Sequence, residues 1–251
     1  KFTIAKAKLD VPTAKDGLVY SGASQTGVEA TSDLYTLTGH TGTDAKSYKA
    51  TASLTAAAKK NYEWKVASNT QADQTIAWTI APKDISSVAI ATISSQIYTG
   101  SAITPDGKVS VKDGTTSLAK GTDYAVSYDN NTNVGVAKVV IAGTGNYTGT
   151  AETYFAINEK DSSKVTMTLS PAQVPYTGKA QQPATVKLTD SERKVDLVEG
   201  TDYDLSVLNN VQIGTATVIA TLKGNYEGAV TGTFQILAPI AETGGVYFQT
   251  L

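Results

Sequence analysis

The chain has 251 residues, 41% of them hydrophobic, which is too apolar for a disordered segment and enough for more than one small core. A formal net charge of −2 argues against nucleic acid or an anionic membrane as the main partner. The sequence contains no cysteine, so disulfides and thiolate metal sites are excluded.

No apolar run approaches the length of a membrane span. The sequence opens mid-pattern at Lys1-Phe2-Thr3-Ile4 and reads as a piece of a longer protein. Phe2 and Ile4 alternate with polar residues and predict an opening strand. Tyr20-Ser21-Gly22 predicts a turn. Tyr48, Ala50, Ala52 and Leu54 share one face of a half-buried strand. Ala56 to Lys60 is expected to belong to a loop, since nothing amphipathic extends it. Ile76, Trp78 and Ile80 form the inner face of a closing strand.

Ala81-Pro82-Lys83-Asp84 is a short, stiff junction. Beyond it, Val88, Ile90 and Thr92 alternate, and Tyr98-Thr99-Gly100 repeats the earlier turn. Tyr124, Val126 and Tyr128 predict one strand and Ala137, Val139 and Ile141 the next. A polar hairpin, Asp129 to Gly135, joins them. Asn158-Glu159-Lys160-Asp161 is the second junction. The pattern then returns. Gly121 to Ile157 and Gly200 to Ile236 align without a gap, with 16 of 37 positions identical. The shared residues are Gly, Asn, Tyr, Asp and a few apolar types, which suit turns and cores. The period sets the domains at 1–81, 82–158 and 159–238, with 239–251 a linker or the start of a further module. Many short strands between Gly, Asn and Pro turns predict an all-β chain of three small tandem sandwich modules. Laid end to end they would form a rod on the order of 100 Å long.

The Gly-Asn-Tyr triplets, 145–147 and 224–226, suit a tight turn. The tyrosine following would pack its ring and bond backbone through its hydroxyl. Asn61-Tyr62 is a partial copy. Thr122-Asp123-Tyr124 and Thr201-Asp202-Tyr203 suit strand initiation, with the side chain bonding local backbone. Asp129 to Asn133 resembles the start of a calcium loop, but Val134 and Val140 stand where glycine and glutamate are needed. His40 is the only histidine, so no multi-histidine metal site exists, and no nucleophile elbow accompanies it. Trp78 aligns with Phe155 and Phe234 and is expected in the core. Trp64 has no aligned counterpart and, with Tyr35, is the candidate ligand-contact aromatic. Lys, Asn, Thr, Gln and Glu are plentiful enough for internal isopeptide or ester cross-links, but no spacing singles out a pair.

The succession Tyr-Thr-Gly, Gly-Thr-Asp-Tyr, Asn-Asn, Gly-Asn-Tyr and Phe-x-Ile resembles the Ig-like repeats of large surface proteins from Gram-positive bacteria. The second and third modules match over nearly their whole length. In the first, Tyr35 to Gly39 and Tyr62-Glu63-Trp64 resemble a sibling module. The resemblance implies Ig-like β-sandwich modules in an extended array, with a β-grasp-like fold as the alternative. It implies a secreted, cell-wall-associated stalk that is not an enzyme, or else an adhesin or carbohydrate-binding segment. It implies no cofactor and a monomer. Its expected partners are host or environmental glycans or proteins, reached through neighbouring domains.

Overall fold

The structure, a computed structural model, describes residues 4–68 and 70–239. Among them the chain is all-β. Helix is confined to one α turn, Ala58–Asn61, and two 3-10 turns, Asp106–Lys108 and Ser162–Lys164. The β-grasp alternative has no support there, since no helix is long enough to cover a sheet. The α turn falls where a loop was expected. Thr55 starts it, its hydroxyl accepting the Ala58 N–H at 3.1 Å. The opening strand is Ala7–Leu9. Ile4 is exposed and outside any strand, so the alternation near it has no sheet to join. Phe2 and the tail from 240 onward lie outside the described residues.

The chain divides into two compact units. The first comprises residues 1–91, 106–127 and 139–153, and the second 92–105, 128–138 and 154–251. In the first unit, Lys46–Leu54 is the centre of an antiparallel sheet between Tyr35–Thr38 and Gln74–Ile80. Its inward residues, Ala50, Ala52 and Leu54, are the period-2 set of the sequence. Ala50 packs with Val28, Trp78 and Ile80. Gly27 faces Trp78 so closely that any Cβ there would overlap the indole. The same unit holds a second small sheet of Ala89–Ile90, Val111–Asp113 and Thr116–Ser117.

In the second unit two sheets face each other. One has the order Gln173–Pro175, Ala229–Leu237, Gly214–Leu222, Tyr203–Leu208. The other is Val165–Ser170, Thr185–Asp190, Val195–Asp196. Met167, Leu169 and Val186 of the latter pack on Ala216, Val218, Phe234 and Ile236 of the former. That is a sandwich core made from the alternating faces of both sheets. Gly232 lets the sheets meet, since a Cβ there would lie 2.8 Å from the Met167 sulfur. Gln173–Pro175 runs parallel to Ala229–Leu237 at the edge of this otherwise antiparallel sheet.

Three recurring features place the residues discussed next, two of them present in all three repeats and the last in the second and third. A short strand pairs in parallel with the strand opened by the Asn-Tyr turn, twice from within a junction: Ala7–Leu9 with Tyr62–Trp64, Lys83–Asp84 with Tyr147–Thr148, and Lys160–Asp161 with Tyr226–Glu227. The tyrosine of each Tyr-x-Gly turn donates its backbone N–H to the junction carbonyl. These bonds are Tyr20 to Ala81, Tyr98 to Asn158 and Tyr176 to Leu237, each 2.9 Å. The aspartate of Thr-Asp-Tyr accepts a backbone N–H four residues back, Asp123 from Ala119 and Asp202 from Val198, both at 2.8 Å. This last is the local strand-initiating bond expected from the sequence.

Candidate functional site

Among the described residues the buried charged side chains are Lys160 and Asp190, and both lie beside the Gly-Asn-Tyr turn at 224–226. In the second unit Asp190 ends the strand Thr185–Asp190 and is fully buried. Lys160, in the strand within the second junction, is 4% exposed and places its Nζ 2.9 Å from Asp190 Oδ2. The Tyr226 hydroxyl donates to the same oxygen at 3.1 Å. Asp190 Oδ1 accepts the backbone N–H groups of Glu192 and Arg193, each at 3.0 Å. Burial works against the charged carboxyl. The Arg193 N–H, the Lys160 ammonium and the Glu192 N–H outweigh it and hold Asp190 below the ordinary carboxylate range. Glu192 adds a second, more exposed partner for Lys160 at 3.2 Å. Lys160 and Asp190 are thus an ion pair with every oxygen engaged, which a buried pair requires.

The Arg193 guanidinium then reaches two tyrosines. It donates to the Tyr226 hydroxyl at 2.9 Å and to the Tyr98 hydroxyl at 3.3 Å. It also lies over the Tyr98 ring, 5.3 Å from the centroid. Tyr98 and Tyr226 meet edge to face, centroids 5.6 Å apart at 77°. Tyr98 belongs to the second repeat and Tyr226 to the third. The asparagine beside Tyr226 makes the same crossing. Asn225 accepts the Val134 N–H at 2.9 Å and its amide nitrogen is 3.3 Å from the Asn133 side-chain oxygen.

The first unit repeats this arrangement one period earlier. Lys83 Nζ sits 2.8 and 2.6 Å from the two oxygens of Asp113. The Tyr147 hydroxyl is 3.3 Å from Asp113 Oδ2. Tyr147 meets Tyr20 of the first repeat edge to face, at 5.5 Å and 74°. Asn146 accepts the Ala45 N–H at 2.7 Å and its amide nitrogen is 3.2 Å from the Asp44 carboxylate. Burial, the Asp113 charge and the hydrogen bond to Asp113 together push the Tyr147 hydroxyl up to about 12. Burial does the same to Tyr226. Arg193 opposes and the Asp190 charge adds, and the result is also about 12.

These placements correct two expectations. The tyrosines after Gly-Asn do not bond backbone through their hydroxyls; each bonds an aspartate, the fully buried Asp190 for Tyr226 and the partly exposed Asp113 for Tyr147, and packs on a tyrosine of the preceding repeat. Trp64 and Tyr35 are not surface aromatics. Trp64 is 0% and Tyr35 4% exposed, and they pack on each other at 5.5 Å in a core with Ala52, Leu54 and Ala58. Sugar stacking needs an open ring face, and neither residue has one. Trp78 is in the core, as expected, stacked on Tyr48 at 4.3 Å.

Among the described residues no group of three or more His, Asp or Glu is arranged to hold a metal ion. His40 sits in a turn where its carbonyl accepts the Gly27 N–H at 2.8 Å. The sequence signal that was missed is a spacing. Lys83 to Asp113 and Lys160 to Asp190 are both 30 residues, each starting from the third residue of a junction.

No protein-family profile matches the sequence, and no curated protein matches it. Solved structures with some likeness include a protocadherin gammaB7 EC3-6 cis-dimer, at TM-score 0.24 and 9% identity over 94% of this chain and 72% of that one. A PcdhgB3 EC1-4 structure scores 0.22 at 11% identity, covering 96% and 76%. The protocadherin GammaB4 extracellular domain scores 0.22 at 11% identity, covering 94% and 48%. Likeness at this level adds nothing to the architecture read from the strands themselves.

Proposed function

We propose that the chain is a non-enzymatic extracellular spacer of three tandem Ig-like modules, set between a bacterial cell wall and a functional domain that it holds away from the surface. One observation carries this reading. The Asn-Tyr pair that recurs with the period ties each repeat to the one before it. Asn146 and Tyr147 bind the first repeat, and Asn225 and Tyr226 the second. In an enzyme, recurring polar residues would be expected to converge on a cleft. Here they form joints, which suits a chain whose task is to hold its modules in a fixed succession. An adhesive role for Trp64 and Tyr35 has no exposed ring to support it, so ligands would be bound by neighbouring domains.

Small-angle scattering tests the proposal. A rod near 100 Å long has a radius of gyration of about 29 Å, against about 18 Å for a compact chain of this size. A value near the lower figure would refute the spacer. The Asn146→Ala/Asn225→Ala chain should keep its fold but give a broader distribution of lengths.

A further inference from the structure

We infer that the third repeat carries a preformed seat for one more β repeat of this chain's own kind, tethered through the segment that follows Ala238 and presenting an Asn-Tyr turn. The inference rests on the joints just described. Each joint has an accepting side with three parts: the tyrosine of a Tyr-x-Gly turn, a backbone N–H just before the sheet's central strand, and a side-chain oxygen on the preceding residue. In the first repeat these are Tyr20, the Ala45 N–H and Asp44. In the second they are Tyr98, the Val134 N–H and Asn133.

The third repeat has all three. Tyr176 is held to the junction by the same 2.9 Å bond as Tyr20 and Tyr98. The hairpin is braced as in the second repeat. Asn210 donates its side-chain amide to the Gln181 carbonyl at 2.9 Å, as Asn131 does to Ile103. The Ile213 N–H stands where Val134 stands, and Gln212 supplies the preceding side-chain oxygen. Tyr176 packs on the core of its own unit, while the Ile213 N–H and the Gln212 side chain make no hydrogen bond among the described residues. Tyr176 has no ring neighbour, and Ile213 is 53% exposed while Val134 and Ala45 are half-buried. Val211 beside it is 37% exposed. A seat built to the same plan and left uncovered fits the same occupant.

Tethering decides the source. Two hydrogen bonds and one ring contact are too little to capture a free molecule. A tether raises the effective concentration to the millimolar range, and the two joints inside the chain form under that condition. Pro239 occupies the place of Lys83 and Lys160, whose N–H groups donate to Asn146 and Asn225 at 2.9 and 3.0 Å. The test therefore restores the lysine.

The experiment is amide hydrogen exchange on the full chain and on two extended chains. In one, residues 83–158 follow Ala238; in the other, residues 160–239 do. In the full chain, Ile213 should exchange freely. In an extended chain whose added block shows protected core amides, Ile213 should slow at least tenfold. Asn→Ala in the added Asn-Tyr turn should abolish the slowing. Unchanged Ile213 exchange beside a folded added block, or slow exchange already present in the full chain, would overturn the inference. Self-association of the full chain with slowing of Ile213 would also overturn it, by making a free copy the occupant. Two added blocks are used so that one that does not fold leaves the other to decide. Ala45 and Val134 serve as internal references. If Asn146→Ala and Asn225→Ala leave them unchanged, the joints themselves are misread and the spacer reading falls with them. If those amides respond and Ile213 does not, only the seat is lost.

Discussion

Asp113 and Asp190 offer one perturbation in two environments. Each accepts a lysine 30 residues earlier and a tyrosine hydroxyl from a Gly-Asn-Tyr turn. They differ in burial. The side chains of Lys83 and Asp113 are 39% and 23% exposed, while those of Lys160 and Asp190 are 5% and 0%. A half-exposed pair is screened by water and contributes about 0–1 kcal/mol. Removing one partner of a buried pair leaves a desolvated charge behind and costs about 3–5 kcal/mol. Asp190→Ala also strands the Tyr226 hydroxyl and two backbone N–H groups. Glu192, 3.2 Å from Lys160, would recover part of the loss by drawing the ammonium outward. We expect Asp190→Ala to cost about 3 kcal/mol, the lower end of that range.

Asp113→Ala should cost about 1 kcal/mol or less. The two sites lie in different compact units, so a global melting curve would blend the two effects. Amide exchange resolves them locally. Val218 and Ala220 report on the second unit, and Val139 and Ile141 on the first. Equal losses at the two sites would refute the argument from burial. A double change, Lys160→Met with Asp190→Leu, should recover most of the Asp190→Ala loss, since an apolar pair leaves no charge to desolvate.

Four further outcomes follow from contacts already described. Tyr147 and Tyr226 ionise in the folded protein near 12, against 10.0 for an unperturbed tyrosine. The folded state holds these protons longer, so their contribution is complete below pH 10 and is lost as pH rises toward 12. Circular dichroism against pH should show unfolding in that window, later in Tyr147→Phe/Tyr226→Phe. Asp190 has the opposite sign. Its stabilisation is present above the ordinary aspartate range and is lost as pH falls below about 4, so Asp190→Asn should flatten the acid limb of the second unit's exchange profile. Trp64→Ala should destabilise the first unit by about 3–5 kcal/mol, as removal of a fully buried indole does, and exchange at Ala52 and Leu54 reads it. Gly27→Ala should displace Trp78 from Tyr48, at about 1–3 kcal/mol, with a change in tryptophan emission and near-ultraviolet dichroism.

The strands were legible because burial and exposure alternate along them. Lys46–Leu54 and Gly214–Leu222 bury alternate residues, as their apolar spacing implies. The aspartate of Thr-Asp-Tyr was legible because its partner lies four residues away. The joints were not. Asn146 reaches Ala45 across 101 residues and Asn225 reaches Val134 across 91, and no local pattern encodes such a contact. Glycine, asparagine and tyrosine also suit a tight turn on their own account, so the turn accounted for residues that the joint uses as well. Trp64 misled for the opposite reason. It lacks a counterpart because the first repeat builds its core differently, around Tyr35, Ala58 and Trp64, and not because it faces a ligand.

The two joints also show how a small local change deepens a repeated contact. Asp113 pairs with Thr116 across a two-residue turn, whereas Asp190 pairs with Val195 across a four-residue one, Ser191 to Lys194. The longer turn supplies both the backbone N–H groups that cap Asp190 and the Arg193 side chain. Arg193 needs room between Tyr98 and Tyr226, and Gly100 provides it, since any Cβ at that position would overlap the guanidinium. At the equivalent Gly22 a Cβ would meet only the Tyr20 hydroxyl, at 4.0 Å. Both glycines have positive φ, +77 and +76°, so the turn favours glycine in each. Only at Gly100 would a side chain also displace a group from across the joint, the Arg193 guanidinium. The Lys-Asp pair beside this longer turn is the one out of water, and its arginine adds bonds to a tyrosine on either side. The later joint therefore differs from the earlier one in depth of burial and not in plan, and any difference in their resistance to bending should trace to residues 191–194.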